Sequence, residues 1–209
     1  IKKKIDNSQD IYNSLLNYFH YLDFEKDILL VTGHRRESFG EGFKNICKAI
    51  LKVAAKNKNL QIVYPVHLNP NVQTPVNDML AGVENIFLID PLEYLQFSFL
   101  MMKSKIILTD SGGIQEEAPS LGKPVLLMRE TTERPEALDA GTVELVGTNI
   151  NLIEDKINIL LKDNKKYETM SMAHNPYGDG KASIKIIEAI KQEFSEKISW
   201  MLLYFLRGS

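Results

Sequence analysis

The hydrophobic pattern of the chain alternates between short, wholly apolar runs and longer stretches with apolar residues every three or four positions. The runs lack the polar alternation of a half-exposed strand, which indicates strands covered on both faces. The longer stretches indicate amphipathic helices. The predicted strands are residues 28–31, 60–64, 86–89, 106–109, 125–128 and 143–146. The predicted helices are residues 41–57, 70–80, 93–103, 114–121, 134–140, 152–163 and 166–172, with a last helix from about residue 181.

An opening helix precedes the first strand, with either Asn7 or Ser8 as its N-cap. Strands that alternate with helices predict parallel βαβ units with right-handed crossovers, so the fold class is α/β with a doubly wound parallel sheet. Ligands bind such a sheet beyond the carboxyl ends of its strands, where the strand order reverses. With the order 3-2-1-4-5-6, this crevice lies between the first and fourth strands, beside residues 32–40 and 110–113.

Ser111, Gly112 and Gly113 join the fourth strand to the next helix. Glycines let the backbone approach a ligand closely, and a helix N-terminus offers free N–H groups and a partial positive charge that suit phosphate. A tight strand-to-helix turn without a ligand would use the same residues. The loop departs from the GxGxxG pattern, so NAD and FAD are not favoured.

Glu117 lies four residues after Gly113, in the first turns of this helix. A carboxylate can accept two hydrogen bonds at once, which suits the paired hydroxyls of a ribose. The neighbouring Glu116 points elsewhere on the helix, and we expect it to be solvated.

His34, Arg35 and Arg36 form a cationic loop after the first strand. Arginine can clamp phosphates through two hydrogen bonds, and histidine can act as an acid or hydrogen-bond donor near neutral pH. The alternative is an ion-pair cluster with Glu37 and Glu41 that has no ligand.

The loop after the fifth strand is also charged, with Arg129, Glu130, Glu133 and Arg134. These side chains either close over the ligand or pair among themselves. His67 follows the second strand, and a lone loop histidine is by itself a weak indication of function.

Composition narrows the functional classes. The chain is 44% hydrophobic and 25% charged with a formal net charge of -2, which argues against nucleic acid or a membrane surface as a partner. Cys47 is the only cysteine, so no intrachain disulfide can form, and its apolar helix face predicts burial. No metal-ligand spacing is present, and Ser111 lacks the GxSxG context of a nucleophilic serine. We therefore predict no metal and no cofactor.

The two ends of the chain are unusual. Ile1 stands where an initiator Met would, without the apolar segment of a secretory signal, so we expect a chain cut from a longer one. Residues 193–209 form an apolar tail that is too short to cross a membrane. We expect the tail to dock on a partner surface; a vector-derived or frameshifted end is the alternative.

Five motifs, in this order, resemble the non-hydrolysing bacterial UDP-N-acetylglucosamine 2-epimerases. The resemblance runs from about residue 1 to residue 192 and covers only the C-terminal half of that family. It implies one Rossmann-like half of a two-domain fold of the glycosyltransferase-B type, with the N-terminal domain absent. The motifs are TGHRRESF at 32–39, PVHLNP at 65–70, TDSGGIQEEAP at 109–119, RETTERPE at 129–136 and HNPYGDG at 174–180.

The resemblance also implies the residues that hold UDP. It places the phosphates at Ser111, Gly112 and Gly113, the ribose at Glu117, the uracil at the backbone around Phe97, further nucleotide contacts at Arg134, the catalytic assistance to UDP departure at His34, and an activating second UDP-sugar near Arg35 and His67.

The implied reaction interconverts UDP-GlcNAc and UDP-ManNAc by elimination and re-addition of UDP. The acidic residues that move the proton at C2 belong to the family's N-terminal half, so we expect this chain alone to be inactive. The implied partners are the missing half or further copies of the chain, and the expected location is the cytoplasm, where nucleotide sugars are made. The alternatives are half of a glycosyltransferase of the same architecture, or a non-catalytic UDP-sugar-binding module.

Overall fold

The computed structural model describes residues 1–178 and 180–207, and their side chains as far as residue 195. It divides into two compact units, Ile1–His174 and Asn175–Ser209. The first unit contains a six-stranded parallel sheet in the order β3-β2-β1-β4-β5-β6, which confirms the predicted doubly wound fold. The predicted division into residues 1–192 and 193–209 remains a prediction. The strands are β1 (Ile28–Thr32), β2 (Gln61–Pro65), β3 (Ile86–Ile89), β4 (Ile106–Thr109), β5 (Val125–Leu127) and β6 (Val143–Leu145).

The predicted helices are present, and one short helix was not predicted. That helix has five residues and a single buried side chain, Ile5, so it carries too little periodicity to detect. A 3₁₀ turn, Arg36–Ser38, also lies within the loop after β1. The helices are α1 (Lys2–Asp6), α2 (Gln9–Tyr18), α3 (Glu41–Lys56), α4 (Pro70–Leu80), α5 (Tyr94–Lys103), α6 (Gly112–Ser120), α7 (Pro135–Asp139), α8 (Ile150–Lys162), α9 (Asn164–Ser171) and, in the second unit, α10 (Ala182–Arg207).

Side-chain caps determine where several helices begin. Of the two candidates for the first predicted helix, Ser8 is the cap, because its hydroxyl accepts the N–H of Ile11 at 3.4 Å. Asn69 caps α4 through the N–H of Asn71, and Pro70 follows at the first helical position, where its missing N–H costs nothing.

The apolar face of α3 packs into the core on one side of the sheet. Phe43, Ile46, Ile50 and Val53 are at most 1% exposed, and each contributes about 1.5–3 kcal/mol through its burial. Cys47 lies on the same face and is buried, as its position in the apolar pattern predicts.

The ends of β1 and β4 are joined at the point where the strand order reverses. Thr32 and Thr109 are register partners, and their hydroxyl oxygens are 2.7 Å apart. The loops that follow these strands therefore start side by side, and this edge of the sheet brings the sequence-predicted site residues together.

In the second unit, α10 exposes large apolar side chains four residues apart. Ile186, Ile190 and Phe194 are each more than half exposed, and this spacing places them on one helix face. Most side chains of the predicted apolar tail, residues 193–209, lie outside the described residues. None of the described helices combines the length and apolar character that a membrane span requires.

Candidate functional site

The buried carboxylate of Asp110 organises the loop after β1. Asp110 is 1% exposed, and its Oδ2 accepts the backbone N–H groups of both His34 and Arg35 at 2.7 Å. Two hydrogen bonds to one charged oxygen fix the direction in which this loop leaves the sheet. They place the His34 and Arg35 side chains above the end of β4.

Gly33 occupies a space in which a side chain would be crowded. A Cβ atom at Gly33 would lie 3.2 Å from the Met128 methyl carbon and 3.4 Å from the Tyr64 hydroxyl. That hydroxyl donates to the Gly33 carbonyl at 3.2 Å. Burial raises the pKa of Tyr64 well above its ordinary value, so the phenol keeps its proton and remains a donor.

The N-terminus of α6 lies beside the same loop. Ser111 is the N-cap residue, but its side chain makes no capping hydrogen bond to the first turn. The guanidinium Nη2 of Arg35 is 4.0 Å from the position a Cβ atom would take on Gly112. A side-chain cation and the partial positive charge of a helix end therefore share one location, which favours an anion such as a phosphate group.

His34 and His67 are in contact, although they come from different loops. Their rings stack with centroids 4.9 Å apart and an angle of 13° between the planes. The Nδ1 of His67 accepts the N–H of Asn69 at 3.1 Å, so that nitrogen carries no proton. The residues predicted for catalysis and for a second UDP-sugar are therefore neighbours.

Glu117 already has a hydrogen-bond partner. The Tyr94 hydroxyl donates to its Oε2 at 2.8 Å, and this hydrogen bond raises the pKa of Tyr94. Phe97 lies three residues after Tyr94, and therefore on the adjoining face of α5. The residues predicted for ribose and uracil thus lie on two helices that are joined by the Tyr94–Glu117 hydrogen bond.

The loop after β5 is attached to α6 by two side-chain contacts. The Nε of Arg134 donates to Glu116 Oε1 at 2.5 Å, and the Thr132 hydroxyl donates to Gln115 Oε1 at 2.6 Å. The expectation that Glu116 is simply solvated is therefore wrong, because its position on α6 faces the returning loop. Arg134, predicted to contact the nucleotide, is held beside the helix that carries Glu117.

Arg129 connects two loops at this edge of the sheet. It is 8% exposed and donates to Glu37 at 2.8 Å and to Glu133 at 3.3 Å. Burial alone would lower the pKa of Arg129, but the two carboxylates raise it. Pairing within the charged loop after β5 was one of the two predicted arrangements, and Arg129 with Glu133 forms such a pair.

The predicted alternative of an ion-pair cluster around Arg35 and Arg36 is wrong for both proposed carboxylates. Glu37 pairs with the more distant Arg129, and Glu41 pairs with a lysine of its own helix. The cations after β1 are therefore not neutralised by these neighbours.

Sequence reasoning missed the structural roles of several residues. Asp110 was quoted only as part of its loop, although a carboxylate directly after a wholly apolar strand marks a polar position at the edge of the sheet. Tyr94 and Gln115 gave no signal, because their partners come from other elements. Within the described ranges, no group of three or more His, Cys, Asp or Glu side chains could hold a metal ion.

A doubly wound sheet with a cationic loop and an uncapped helix N-terminus at its switch point defines a Rossmann-like α/β domain. The chain belongs to the UDP-N-acetylglucosamine 2-epimerase family, whose sequence model matches residues 3–191. It is 58% identical over 191 residues to the UDP-N-acetylglucosamine 2-epimerase of Yersinia pestis, covering 91% of this chain and 51% of that protein.

Solved structures agree with this assignment. The UDP-GlcNAc 2-epimerase of Neisseria meningitidis, crystallised bound to UDP-GlcNAc, is 49% identical and superposes with a TM-score of 0.85, covering 91% of this chain and 51% of that chain. The chain thus spans about half the length of the relatives it matches.

A C-terminal domain of a group 1 glycosyl transferase from Francisella tularensis shares the fold at a TM-score of 0.52. It is only 14% identical and covers 72% of this chain and 82% of that domain. The likeness to glycosyltransferases therefore concerns the fold alone, and the alternative of a glycosyltransferase half is not favoured. The resemblance of the chain to one half of a glycosyltransferase-B type fold is confirmed.

Proposed function

We propose that this chain supplies the UDP-binding half of an enzyme that interconverts UDP-GlcNAc and UDP-ManNAc. The observation that carries the proposal is the convergence of the uncapped α6 N-terminus with Arg35 and His34 at the switch point of the sheet. A relative that is 49% identical was crystallised with UDP-GlcNAc bound.

In this proposal each part of UDP meets a separate group. The phosphates lie at Ser111, Gly112 and Gly113, where free N–H groups and Arg35 offset their charge. Glu117 accepts the ribose hydroxyls after releasing Tyr94. The uracil packs against the backbone around Phe97, and Arg134 makes further contacts with the nucleotide.

The chemistry follows from the low acidity of the sugar C2. Removing the C2 proton alone would leave an unstable carbanion, so the C1–oxygen bond breaks as the proton is lost, which gives 2-acetamidoglucal and UDP. Charge then develops on the departing diphosphate, where a single preorganised donor is worth about 3 kcal/mol. His34 donates a proton to that oxygen and takes it back when UDP adds to the opposite face of the sugar.

The base at C2 comes from outside this chain. The family resemblance assigns the acidic residues for that step to the other half of the enzyme, and this chain spans about half the length of its relatives. We therefore propose that the chain alone binds UDP without epimerising UDP-GlcNAc. A second polypeptide or a further copy of the chain would complete the enzyme, in the cytoplasm, where its substrates are made.

A second UDP-sugar, acting as an activator, is proposed to bind near Arg35 and His67. The stacking of His67 on His34 supports a connection between that position and the catalytic loop. Because Arg35 also lies close to Gly112, the two ligands would sit side by side.

The test is calorimetric titration of the chain with UDP, beside a Ser111→Ala, Glu117→Ala double variant. The matched control is Ser14→Ala, Glu84→Ala, which changes the same residue types at exposed positions away from the site. We expect wild type and control to bind and the double variant to lose at least tenfold in affinity. Failure of a folded wild-type chain to bind UDP would refute the proposed site, and turnover of UDP-GlcNAc by the chain alone would refute the placement of the base.

A further inference from the structure

Only one oxygen of the buried Asp110 carboxylate is engaged by the described residues. Oδ2 accepts two backbone N–H groups, those of His34 and Arg35. Oδ1 is equally buried and has no hydrogen-bond partner. A buried charged oxygen without a donor is costly, so its placement calls for a functional or structural reason.

The donor closest to Asp110 Oδ1 in geometry is the His34 ring. Its Nδ1 lies 3.8 Å from Oδ1, just beyond hydrogen-bond range. The His34 backbone is already fixed to the same carboxylate, so a small rotation of the side chain suffices to form the bond. The ring itself is about half exposed, with room for this rotation.

The other neighbour of the His34 ring does not compete for this bond. His67 stacks face to face on it, so neither ring nitrogen points at the other ring's nitrogens. His67 Nδ1 is occupied by the N–H of Asn69. The stack instead restricts His34 to ring orientations in one plane, which leaves rotation within that plane.

We propose that Asp110 is a positioning residue for His34: its Oδ1 accepts the Nδ1–H of the imidazole, which directs Nε2 towards the diphosphate. This inference rests on the proposed function for its catalytic meaning, but the hydrogen bond itself does not depend on it. With Nδ1 holding its proton throughout, Nε2 is the nitrogen whose proton moves. Nε2 gives that proton to the departing UDP oxygen and recovers it on re-addition, while the carboxylate stabilises the imidazolium between turnovers.

The test reads the tautomer of His34 directly in the full chain. Samples labelled with ¹⁵N at histidine are examined by ¹H–¹⁵N correlation at about pH 9, well above the ordinary imidazole pKa of about 6.5. The spectrum of His34→Gln assigns the His34 signals among the four histidines. We expect the Nδ1–H form of His34 to exceed the Nε2–H form at least about tenfold, because a hydrogen bond to a charged acceptor is strong.

Asp110→Asn should reverse this preference. Its amide oxygen can still accept the two loop N–H groups, while its NH₂ group donates to Nδ1 and moves the imidazole proton to Nε2. Asp78→Asn, an exposed change on α4, is the control and should leave the tautomer unchanged. A loss of fold alone would not produce a discrete change of tautomer at one histidine.

Either of two results overturns the inference: a predominant Nε2–H form in the wild type, or an Asp110→Asn variant that keeps the Nδ1–H form. If Asp110→Asn does not fold, the wild-type spectrum still decides. Titration of the same samples with UDP tests the proposed function separately. An Nδ1–H form in a chain that binds no UDP would sustain the hydrogen bond and refute the UDP site.

Discussion

The phenol of Tyr94 on α5 donates a 2.8 Å hydrogen bond to the carboxylate of Glu117 on α6. In the ligand-free chain, the residue proposed to hold the ribose is therefore already engaged. A ribose that binds Glu117 must displace the Tyr94 hydroxyl, and Tyr94 is more than half exposed and free to turn towards solvent.

Tyr94→Phe should strengthen UDP binding about two- to fivefold. The net value of an exposed hydrogen bond is about 0.5–1 kcal/mol, and UDP no longer has to break it in the variant. Calorimetric titration measures the change, with Tyr18→Phe as the control at another exposed tyrosine. Binding weakened more than tenfold would instead identify the Tyr94 hydroxyl as a direct ligand of UDP.

Asn85 supports the fold far from the site, and Asn85→Ala should destabilise the first unit by about 2–3 kcal/mol. Its side-chain amide donates to the carbonyls of Ala54, Asn57 and Leu60 at 3.0–3.2 Å, joining the end of α3 to the start of β2. The substitution leaves these carbonyls short of a donor in a buried place. Urea denaturation measures the loss. The exposed Asn71→Ala should cost less than about 0.5 kcal/mol, and an equal loss in both variants would contradict the role of Asn85.

Cys47 should make the fold less stable in alkali. Burial raises the pKa of its thiol to about 12, whereas an unfolded thiol titrates near 8.5. Below about pH 8.5 both states hold the proton. Above it only the unfolded state ionises, so the free energy of unfolding falls by up to about 1.4 kcal/mol per pH unit until the folded thiol titrates.

The measurement is urea denaturation under reducing conditions from pH 7.5 to 10.5, for wild type and Cys47→Ala. The variant loses stability at every pH because of the cavity it creates, but the advantage of the wild type should shrink by about 2 kcal/mol across this range. Taking the difference cancels the other titrating groups. A constant difference would show that the thiol ionises equally easily in both states.

The elements of the fold were accessible from the sequence because their signals are local. The apolar run at residues 28–31 and the helical spacing at residues 41–57 predict β1 and α3 to within a residue or two. The helix α1 was missed because one buried side chain, Ile5, makes no pattern. The choice between Asn7 and Ser8 as N-cap needed coordinates, since either residue type can cap a helix.

The position of the site was also accessible, because parallel strands all end at one edge and chain order limits where their order can reverse. The sequence alone thus determined the α/β class, the switch-point loops at His34 and Ser111, and the family resemblance. Only the tertiary structure decided which side chains meet. Asp110 holds the backbone of His34 across 76 residues, and Arg129 reaches Glu37 across 92. Such contacts depend on distances between elements that pack together after folding, and no local periodicity along the chain encodes them.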